Sequence, residues 1–220
     1  MKRSMSSTVA KIPDLKSIEM PYMLRVYGVT EEMFDEMVDD EHTKAELVDG
    51  VLVVHSPASI PHDRMVTFVS GLLSFYVGRK QSGIVLGASN ALTRLQPGRR
   101  VAPDVFYVAK ESIPSPLPKQ LDGPPDLVVE VVSPSNRAYD LGEKRGAYRT
   151  ARVKEIWLVD SERQEIILDR LRGTEYVSET FTEGRVTSAV VEGFWIDPSW
   201  LWVEPTPDPL GCLEAILGRK

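Results

Sequence analysis

Two acidic side chains stand alone in apolar stretches near the middle of the chain. Glu130 interrupts the run LVVEVV at 127–132, and Asp104 follows Pro103 in VAPDVFYV. A carboxylate buried without a partner is very costly, so each must be paired, protonated or bound to a metal. For Glu130 alone, a buried salt bridge is the more common explanation. Two such acids on adjacent strands favour a site for Mg²⁺ or Mn²⁺, which take a few carboxylates and keep water for a phosphate.

A lysine on the apolar side of a predicted helix is the third candidate. Leu141, Lys144, Tyr148 and Ala151 fall on one helical stripe. The Lys144 ammonium could therefore reach over the core towards the carboxylates. Alternatively, its stem could cover apolar surface while the charge stays in water. The sequence leaves both alternatives open.

Two residues of the N-terminal half are weaker candidates. Asp49-Gly50 between two β-rich runs predicts a type I′ hairpin, with Glu46 and Val48 on one strand face. Glu46 could add a metal ligand or hold a metal-bound water. His62 falls on the inward side of the first turn of a predicted helix, where a packed histidine is more common than a ligand. It could contact phosphate or assist proton transfer.

Hydrophobic periodicity and turn residues predict one α/β domain over residues 26–220, preceded by a flexible leader at 1–25. Helices are predicted after Thr30, from SPASIPHDRMV to about Gly78, at 139–151 and at 212–217. Strands are predicted on both sides of the Asp49-Gly50 turn and at 84–88, 91–95, 101–108, 127–132, 155–160, 165–170, 175–181 and 186–191. Asp140 and Glu143 resemble a capping arrangement at the start of the third helix and are interpreted as structural.

These residues together support a metal-dependent hydrolysis of phosphodiesters as a hypothesis. Asp104 and Glu130 would hold a divalent cation that polarises the phosphate and lowers the pKa of a bound water. Lys144 would orient that water or stabilise the charge that develops on the phosphate.

Composition sets limits on compartment and partners. The 220 residues are 42% hydrophobic and 26% charged, as in ordinary globular proteins. A single cysteine, Cys212, excludes an internal disulfide framework and predicts a cytoplasmic location. No apolar run is long enough to span a bilayer, so no membrane partner is expected. The net charge of −6 argues against indiscriminate attraction to nucleic acid, although a local basic groove remains compatible with the arginines in and beside the central stretch.

The order and spacing of these motifs resemble the PD-(D/E)XK nuclease superfamily and, more closely, the Uma-two family of restriction endonucleases. The shared segments are Glu46-Leu-Val-Asp-Gly, Pro61-His62, Pro103-Asp104-Val, Glu130-Val-Val-Ser-Pro-Ser135, Asp140-Leu-Gly-Glu-Lys144 and Ile156-Trp157-Leu-Val-Asp160. The resemblance covers roughly residues 30–200. It implies a restriction-endonuclease-like α/β core, a mixed β-sheet flanked by helices with extra antiparallel strands. It also implies Mg²⁺-dependent cleavage of DNA by a protein that works as a homodimer.

One position departs from the superfamily pattern. The usual lysine, two residues after the glutamate, is replaced by Val132, and Lys144 is the candidate to supply its charge. The alternative hypothesis is a catalytically inactive nucleic-acid-binding or assembly module on the same fold. Hydrolysis of another phosphate ester ranks last, because the chain lacks a Gly-rich phosphate loop of the Walker type.

Overall fold

The computed structural model describes residues 21–38, 44–87 and 91–218. Most of the predicted leader lies outside these residues, but residues 23–25 already belong to the first strand. The strands are β1 (Met23–Tyr27), β2 (Ala45–Val48), β3 (Val51–His55), β4 (Gly83–Gly87), β5 (Thr93–Gln96), β6 (Arg99–Val101), β7 (Val105–Ala109), β8 (Leu121–Asp122), β9 (Leu127–Val132), β10 (Glu155–Asp160), β11 (Glu165–Arg172), β12 (Glu175–Phe181), β13 (Val186–Thr187) and β14 (Trp195–Ile196). The α-helices are α1 (Glu31–Met37), α2 (Ile60–Lys80), α3 (Arg137–Tyr139), α4 (Arg145–Thr150), α5 (Ser199–Trp202) and α6 (Pro209–Ile216).

Two six-stranded sheets form the framework, which confirms the predicted α/β class. The first sheet has the order β1-β3-β2-β6-β5-β8, and the second has the order β12-β11-β10-β9-β7-β4. Both are mixed, because β5 pairs with β8 and β9 pairs with β10 in parallel while the other pairs are antiparallel. Strands β11 and β12 are the extra antiparallel strands that the sequence predicts.

A buried core lies between the two sheets, and the candidate residues converge there. It combines side chains of the first sheet, such as Val53 and Val101, with Phe106, Val128 and Val132 of the second. The opposite face of the second sheet packs on α2 and the C-terminal tail, and α1 covers the outer face of the first sheet. None of the helices in the described ranges is long and apolar enough to cross a membrane.

The N-terminal predictions of local structure are confirmed. The Thr30 hydroxyl accepts from the Met33 N–H and caps α1. Asp49 and Gly50, at φ 51° and 81°, turn β2 into β3 in the left-handed conformation that a type I′ hairpin requires. Ser59 caps α2, which runs two residues beyond the predicted end at Gly78.

The strand predicted at 101–108 is wrong as a single element. β6 ends at Val101 in the first sheet, and β7 begins at Val105 in the second. Pro103 has no N–H to donate to a sheet ladder, so the chain leaves one sheet here and enters the other. This crossover places Asp104 at the junction of the two sheets.

The helix predicted at 139–151 begins earlier and is irregular. Residues 137–150 form a continuous helical segment in which α3 leads into a π-helical turn (Asp140–Lys144) and then into α4. Asp140 is therefore not a cap, because it lies one turn inside the segment and is buried. Glu143 is exposed and forms an ion pair with Arg25 of β1.

The C-terminal part differs from the prediction in two places. Only Val186–Thr187 of the predicted strand 186–191 is extended, and it pairs with β14. Ser188 then bends the chain, since its hydroxyl accepts from the Val190 and Val191 N–H groups. The closing helix α6 begins at Pro209, three residues before the predicted start, with Asp208 as its cap.

An ion-pair cluster fixes the helical segment 137–150 on the second sheet. Asp169 of β11 is fully buried and accepts from Arg145 and Arg149 at 2.7–2.8 Å, and from the Ser178 hydroxyl at 2.7 Å. Burial opposes the charge, but the two guanidinium groups outweigh it and lower the pKa of Asp169. Since Arg145 follows Lys144 directly, the cluster also sets the position of that lysine.

The first prediction concerns this cluster. Asp169→Asn should lower the free energy of unfolding by about 2–4 kcal/mol at pH 7, because a buried ion pair loses its anion. A group with a depressed folded pKa contributes stability above its unfolded pKa, so the difference from wild type should shrink below about pH 4. Urea unfolding at pH 7 and below pH 4 measures both effects. Glu175→Gln, an exposed acid on β12, is the control, and a pH-independent loss would contradict the prediction.

Candidate active site

The five sequence-predicted residues lie together at the junction of the two sheets. Glu46 comes from β2 of the first sheet and Glu130 from β9 of the second. Asp104 lies in the crossover that joins the sheets, Lys144 ends the π-helical turn, and His62 lies in the first turn of α2. All but His62 are buried.

The Lys144 side chain points inward and does not reach solvent. Its Nζ lies 2.9 Å from Glu46 Oε1 and 2.8 Å from Glu130 Oε1, and it donates to the Ala102 carbonyl at 3.4 Å. The side chain is 1% exposed. Burial disfavours the charge, but the two carboxylates outweigh it and raise the pKa of Lys144 well above its usual range. Lys144 is therefore a buried cation that joins the two sheets.

Both oxygens of Asp104 have partners. Lys44 Nζ lies 2.7 Å from Oδ1, while Oδ2 accepts from the Val131 N–H at 2.9 Å and lies 3.3 Å from His62 Nε2. Burial opposes ionisation, yet Lys44 and His62 hold the pKa of Asp104 well below its usual range. The Val131 contact also fixes Asp104 beside Glu130, its neighbour on β9. His62 Nδ1 is buried and has no hydrogen-bond partner within the described residues.

A glycine at the end of β4 allows the crossover to pass closely. Gly87 has φ +113°, and a Cβ there would lie 2.4 Å from the Asp104 carbonyl oxygen. A side chain at this position would be strained and would push the backbone of Asp104. Gly87 therefore helps to set the position of the carboxylate.

Glu46 is held by contacts to both of its oxygens. Oε1 accepts from the Ala102 N–H at 2.8 Å in addition to its contact with Lys144, and Oε2 accepts from the Tyr139 hydroxyl at 3.0 Å. His55 Nε2 lies 3.0 Å from Oε2, and Asn136 Nδ2 donates to His55 Nδ1 at 3.1 Å, which fixes the tautomer that donates to Glu46. Burial is outweighed by Lys144 and His55, so the pKa of Glu46 is lowered.

The site holds more acid than base. It joins four carboxylates to two ammonium groups, namely Glu46, Asp104, Glu130 and Asp140 with Lys44 and Lys144. Burial, opposed by Lys144 and reinforced by Asp104, raises the pKa of Glu130 to about 7. Burial likewise raises the pKa of Asp140 well above its usual range. Two of the four acids thus lack sufficient compensating charge.

This charge balance fits a divalent cation. Carboxylate oxygens are the ligands that Mg²⁺ and Mn²⁺ prefer, and a charge of two would compensate the uncompensated acids. No group of three or more His, Cys, Asp or Glu side chains converges on a common point among the residues described. The carboxylates of Asp104 and Glu130, which the sequence predicts as metal ligands, would need water and phosphate to complete the shell of an Mg²⁺ ion.

Several residues of the site were missed in the sequence, although local spacing could have found some of them. Lys44 precedes Glu46 by two, so both side chains point to the same face of β2. His55 lies opposite Lys44 in the hairpin register that Asp49-Gly50 sets. Asp140 precedes Lys144 by four, a spacing that places two residues on one helix face. Tyr148 donates to Glu130 Oε1.

The arginines near the central stretch are engaged within the protein. Their partners are carboxylates or, for one of them, a carbonyl, as found for Arg94, Arg99, Arg100, Arg137, Arg145, Arg149 and Arg152. They serve to hold strands and helices together, so their number in the sequence is no measure of a basic groove.

Comparison with solved structures identifies the class of fold. A crystal structure described as "a putative nuclease belonging to DUF820 from Anabaena variabilis ATCC 29413" matches 79% of this chain and 97% of its own, with a TM-score of 0.69 and 14% identity. The two proteins share a fold. The sequence model of the Uma2 family, described as "Putative restriction endonuclease", matches residues 31–199, and the chain belongs to this family.

A further relative comes from Synechocystis sp. (strain ATCC 27184 / PCC 6803 / Kazusa). The protein named "Uncharacterized protein sll1609" is 29% identical over 118 residues, which is 53% of this chain. The match spans 66% of that relative's length.

The second prediction tests the buried bridge between the sheets. Lys144→Met and Glu46→Gln should each lower the free energy of unfolding by about 3–5 kcal/mol, because each leaves a buried partner charge uncompensated. The double variant should lose less than the sum, with a coupling of about 1–3 kcal/mol. Urea unfolding of wild type, the two single variants and the double variant gives the coupling energy of this double-mutant cycle.

The matched control is the pair Lys154→Met and Asp126→Asn, whose ion pair of 2.5 Å involves a lysine that is 61% exposed. Its coupling should stay below about 1 kcal/mol. Additive losses at Lys144 and Glu46 would contradict the bridging role.

Proposed function

We propose that the protein is a metal-dependent endonuclease that hydrolyses phosphodiester bonds of DNA, with Mg²⁺ or Mn²⁺ as cofactor. The observation that carries this proposal is the position of Lys144, whose ammonium lies 2.8 Å from Glu130 while Glu130 adjoins the residue that holds Asp104. The family description supports nuclease activity in general.

Asp104 and Glu130 are the residues that we assign to the cation. Lys144 and the Tyr148 hydroxyl both contact Oε1 of Glu130, and Oε2 is the oxygen that we assign to metal binding. A cation bound there would polarise the phosphate and activate water for attack. Lys44 and His62 keep part of their side chains in solvent, so we assign the approach of the substrate to the side that they line.

Lys144 acts as a positioning residue in this proposal. A lysine ammonium has three N–H groups, and oxygens of Glu46, Glu130 and Ala102 lie within reach of all three. It therefore holds the Glu130 carboxylate in place and supplies positive charge at the inner wall of the site. Glu46, whose oxygens are both occupied, holds Lys144 in turn.

His62 is assigned to proton transfer. Nε2 lies 3.3 Å from Asp104 Oδ2, and Nδ1 is a buried atom without a hydrogen-bond partner among the described residues, so we assign Nδ1 as the acceptor of a proton from a water bound inside the site. The contact also fixes the orientation of the ring. His62 is the least buried of the five residues.

Substitution of the two carboxylates is the direct test and the third prediction. Asp104→Asn and Glu130→Gln should each reduce cleavage of supercoiled and linear duplex DNA by at least about 100-fold, because loss of the cation removes several kcal/mol of transition-state stabilisation. EDTA should abolish wild-type cleavage. Asp122→Asn, an exposed acid of β8, should cleave as fast as wild type.

Two outcomes would overturn the assignment. Cleavage by Asp104→Asn at the wild-type rate would remove this site from the reaction. Binding of DNA by the wild type without cleavage at any divalent cation would favour the alternative function, a catalytically inactive nucleic-acid-binding module.

The fourth prediction follows from the face that Val132 shares with Glu130. Val132 lies two residues after Glu130 on β9 and faces the same core between the sheets. Lys144→Ala should lose cleavage, and adding Val132→Lys should restore part of it by returning an ammonium to the neighbourhood of Glu130. Plasmid cleavage measures the rescue. Lys144→Ala with Val128→Lys, which buries a lysine in the same core on the other side of Glu130, is the control and should stay inactive.

Equal activity of the two double variants would show that any buried lysine suffices. No gain from Val132→Lys, in a folded double variant at least as stable as Lys144→Ala alone, would contradict a role for Lys144 through Glu130.

A further inference from the structure

Lys44 lies at the edge of the site and differs from Lys144 in its surroundings. Its Nζ lies 2.7 Å from Asp104 Oδ1, and its side chain is 23% exposed, against 1% for Lys144. Its backbone is fixed, because its carbonyl accepts from the His55 N–H at 3.0 Å beside the β2–β3 hairpin. The long side chain can therefore move while its Cα remains in place.

A divalent cation on Oδ1 of Asp104 would lie beside the Lys44 ammonium, and the repulsion between the two positive charges opposes its binding. Oδ2 is held by the Val131 N–H, which belongs to the central strand β9 and cannot move without breaking the sheet. Among the residues that the structure describes, Lys44 is the partner of Oδ1. Since a lysine side chain has four rotatable bonds and this one already reaches solvent, the Lys44 contact is the one that can be released at low cost.

The substrate phosphate also needs a cationic partner that Lys144 cannot provide. The ammonium of Lys144 is enclosed by Glu46, Glu130 and the Ala102 carbonyl, so it has no N–H left for a ligand. Lys44 is partly exposed and lies next to the carboxylate that we assign to the metal. Once released from Asp104, its ammonium is free to contact phosphate oxygens.

We infer that Lys44 is an exchangeable counter-ion of the active site. Without a divalent cation it neutralises Asp104. When a divalent cation occupies Asp104, Lys44 leaves the carboxylate and binds a phosphate of the nucleic acid. This inference rests on the proposed function, since it takes Asp104 as a metal ligand, but it concerns a residue that the metal-binding assignment does not need.

Metal binding without catalysis is the first test. Isothermal titration of Mn²⁺ into Lys44→Met should show binding about tenfold tighter than in wild type, because the cation no longer competes with an ammonium. Lys44→Gln should behave in the same way. The matched control is Lys154→Met, which removes a lysine paired with Asp126 before the start of β9. It should leave the affinity unchanged.

DNA binding with and without a divalent cation is the second test. In Ca²⁺, Lys44→Met should lower the salt dependence of binding to a short duplex by about one counterion, because one phosphate contact is lost. In EDTA the salt dependence of DNA binding should be the same for the variant and for wild type, because in wild type Lys44 is then held by Asp104 and contacts no phosphate. A lysine that merely stabilises the fold would alter both conditions equally.

The outcomes separate this inference from the proposed function. Failure of wild type to bind Mn²⁺, or unchanged binding by Asp104→Asn, would overturn both. Normal Mn²⁺ binding by wild type with no tightening in both Lys44 variants would overturn the exchange alone. The exchange would also be overturned if Lys44→Met bound Mn²⁺ more tightly but kept the wild-type salt dependence of DNA binding in Ca²⁺. Lys44 would then be only a positive charge near the metal and not a phosphate contact.

Discussion

The buried ammonium of Lys144 lies between a glutamate of one sheet and a glutamate of the other. Transfer of a lysine and two carboxylates out of water costs several kcal/mol for each ion, and only close contacts offset that cost. The contacts at 2.8 and 2.9 Å, with hydrogen bonds from Tyr139, Tyr148 and the Ala102 N–H to the same carboxylates, provide this compensation. The packing of the two sheets therefore depends on where the helical segment 137–150 places one nitrogen atom.

That placement is determined outside the site. Asp169 on β11 anchors the next residue, Arg145, and Arg149 one turn further along. The irregular π-helical turn at Asp140–Lys144 comes immediately before this anchor and faces both Asp140 and Lys144 into the core. Apolar side chains of similar volume would stabilise such a core at least as well as a cluster of ions. The combination of a π-turn, an excess of acid and a raised pKa is typical of functional sites.

Local pattern predicted those parts of the structure that local forces determine. The apolar runs at β9 and β10, the Asp49-Gly50 hairpin and the apolar stripe that contains Lys144 all follow from side-chain period and turn chemistry. The crossover at Asp104 was missed, because alternation continues through 101–108 while the partner strands change. Pairing between strands depends on residues that are distant in the chain. The sequence therefore showed that Glu130 needed a charged partner, but not that Lys144 would pair with Glu46 of the other sheet as well. A single π-helical turn leaves no distinct hydrophobic periodicity in the sequence. The start of the helical segment was therefore placed too late, and Asp140 was mistaken for a cap.

The surroundings of the two lysines follow from the elements that carry them. A lysine at position 132 would extend from β9 beside Glu130 and belong to one sheet only. From the helical segment, Lys144 bridges both sheets, but every N–H of its ammonium is then used inside the protein. Lys144 is therefore a structural cation whose ammonium has no N–H left to meet a ligand. Within the described part of the chain, the ammonium that contacts Asp104 is that of Lys44, which is partly exposed and bound to a single carboxylate oxygen. Lys144 is thus enclosed by carboxylates of both sheets, while Lys44 keeps part of its side chain in solvent.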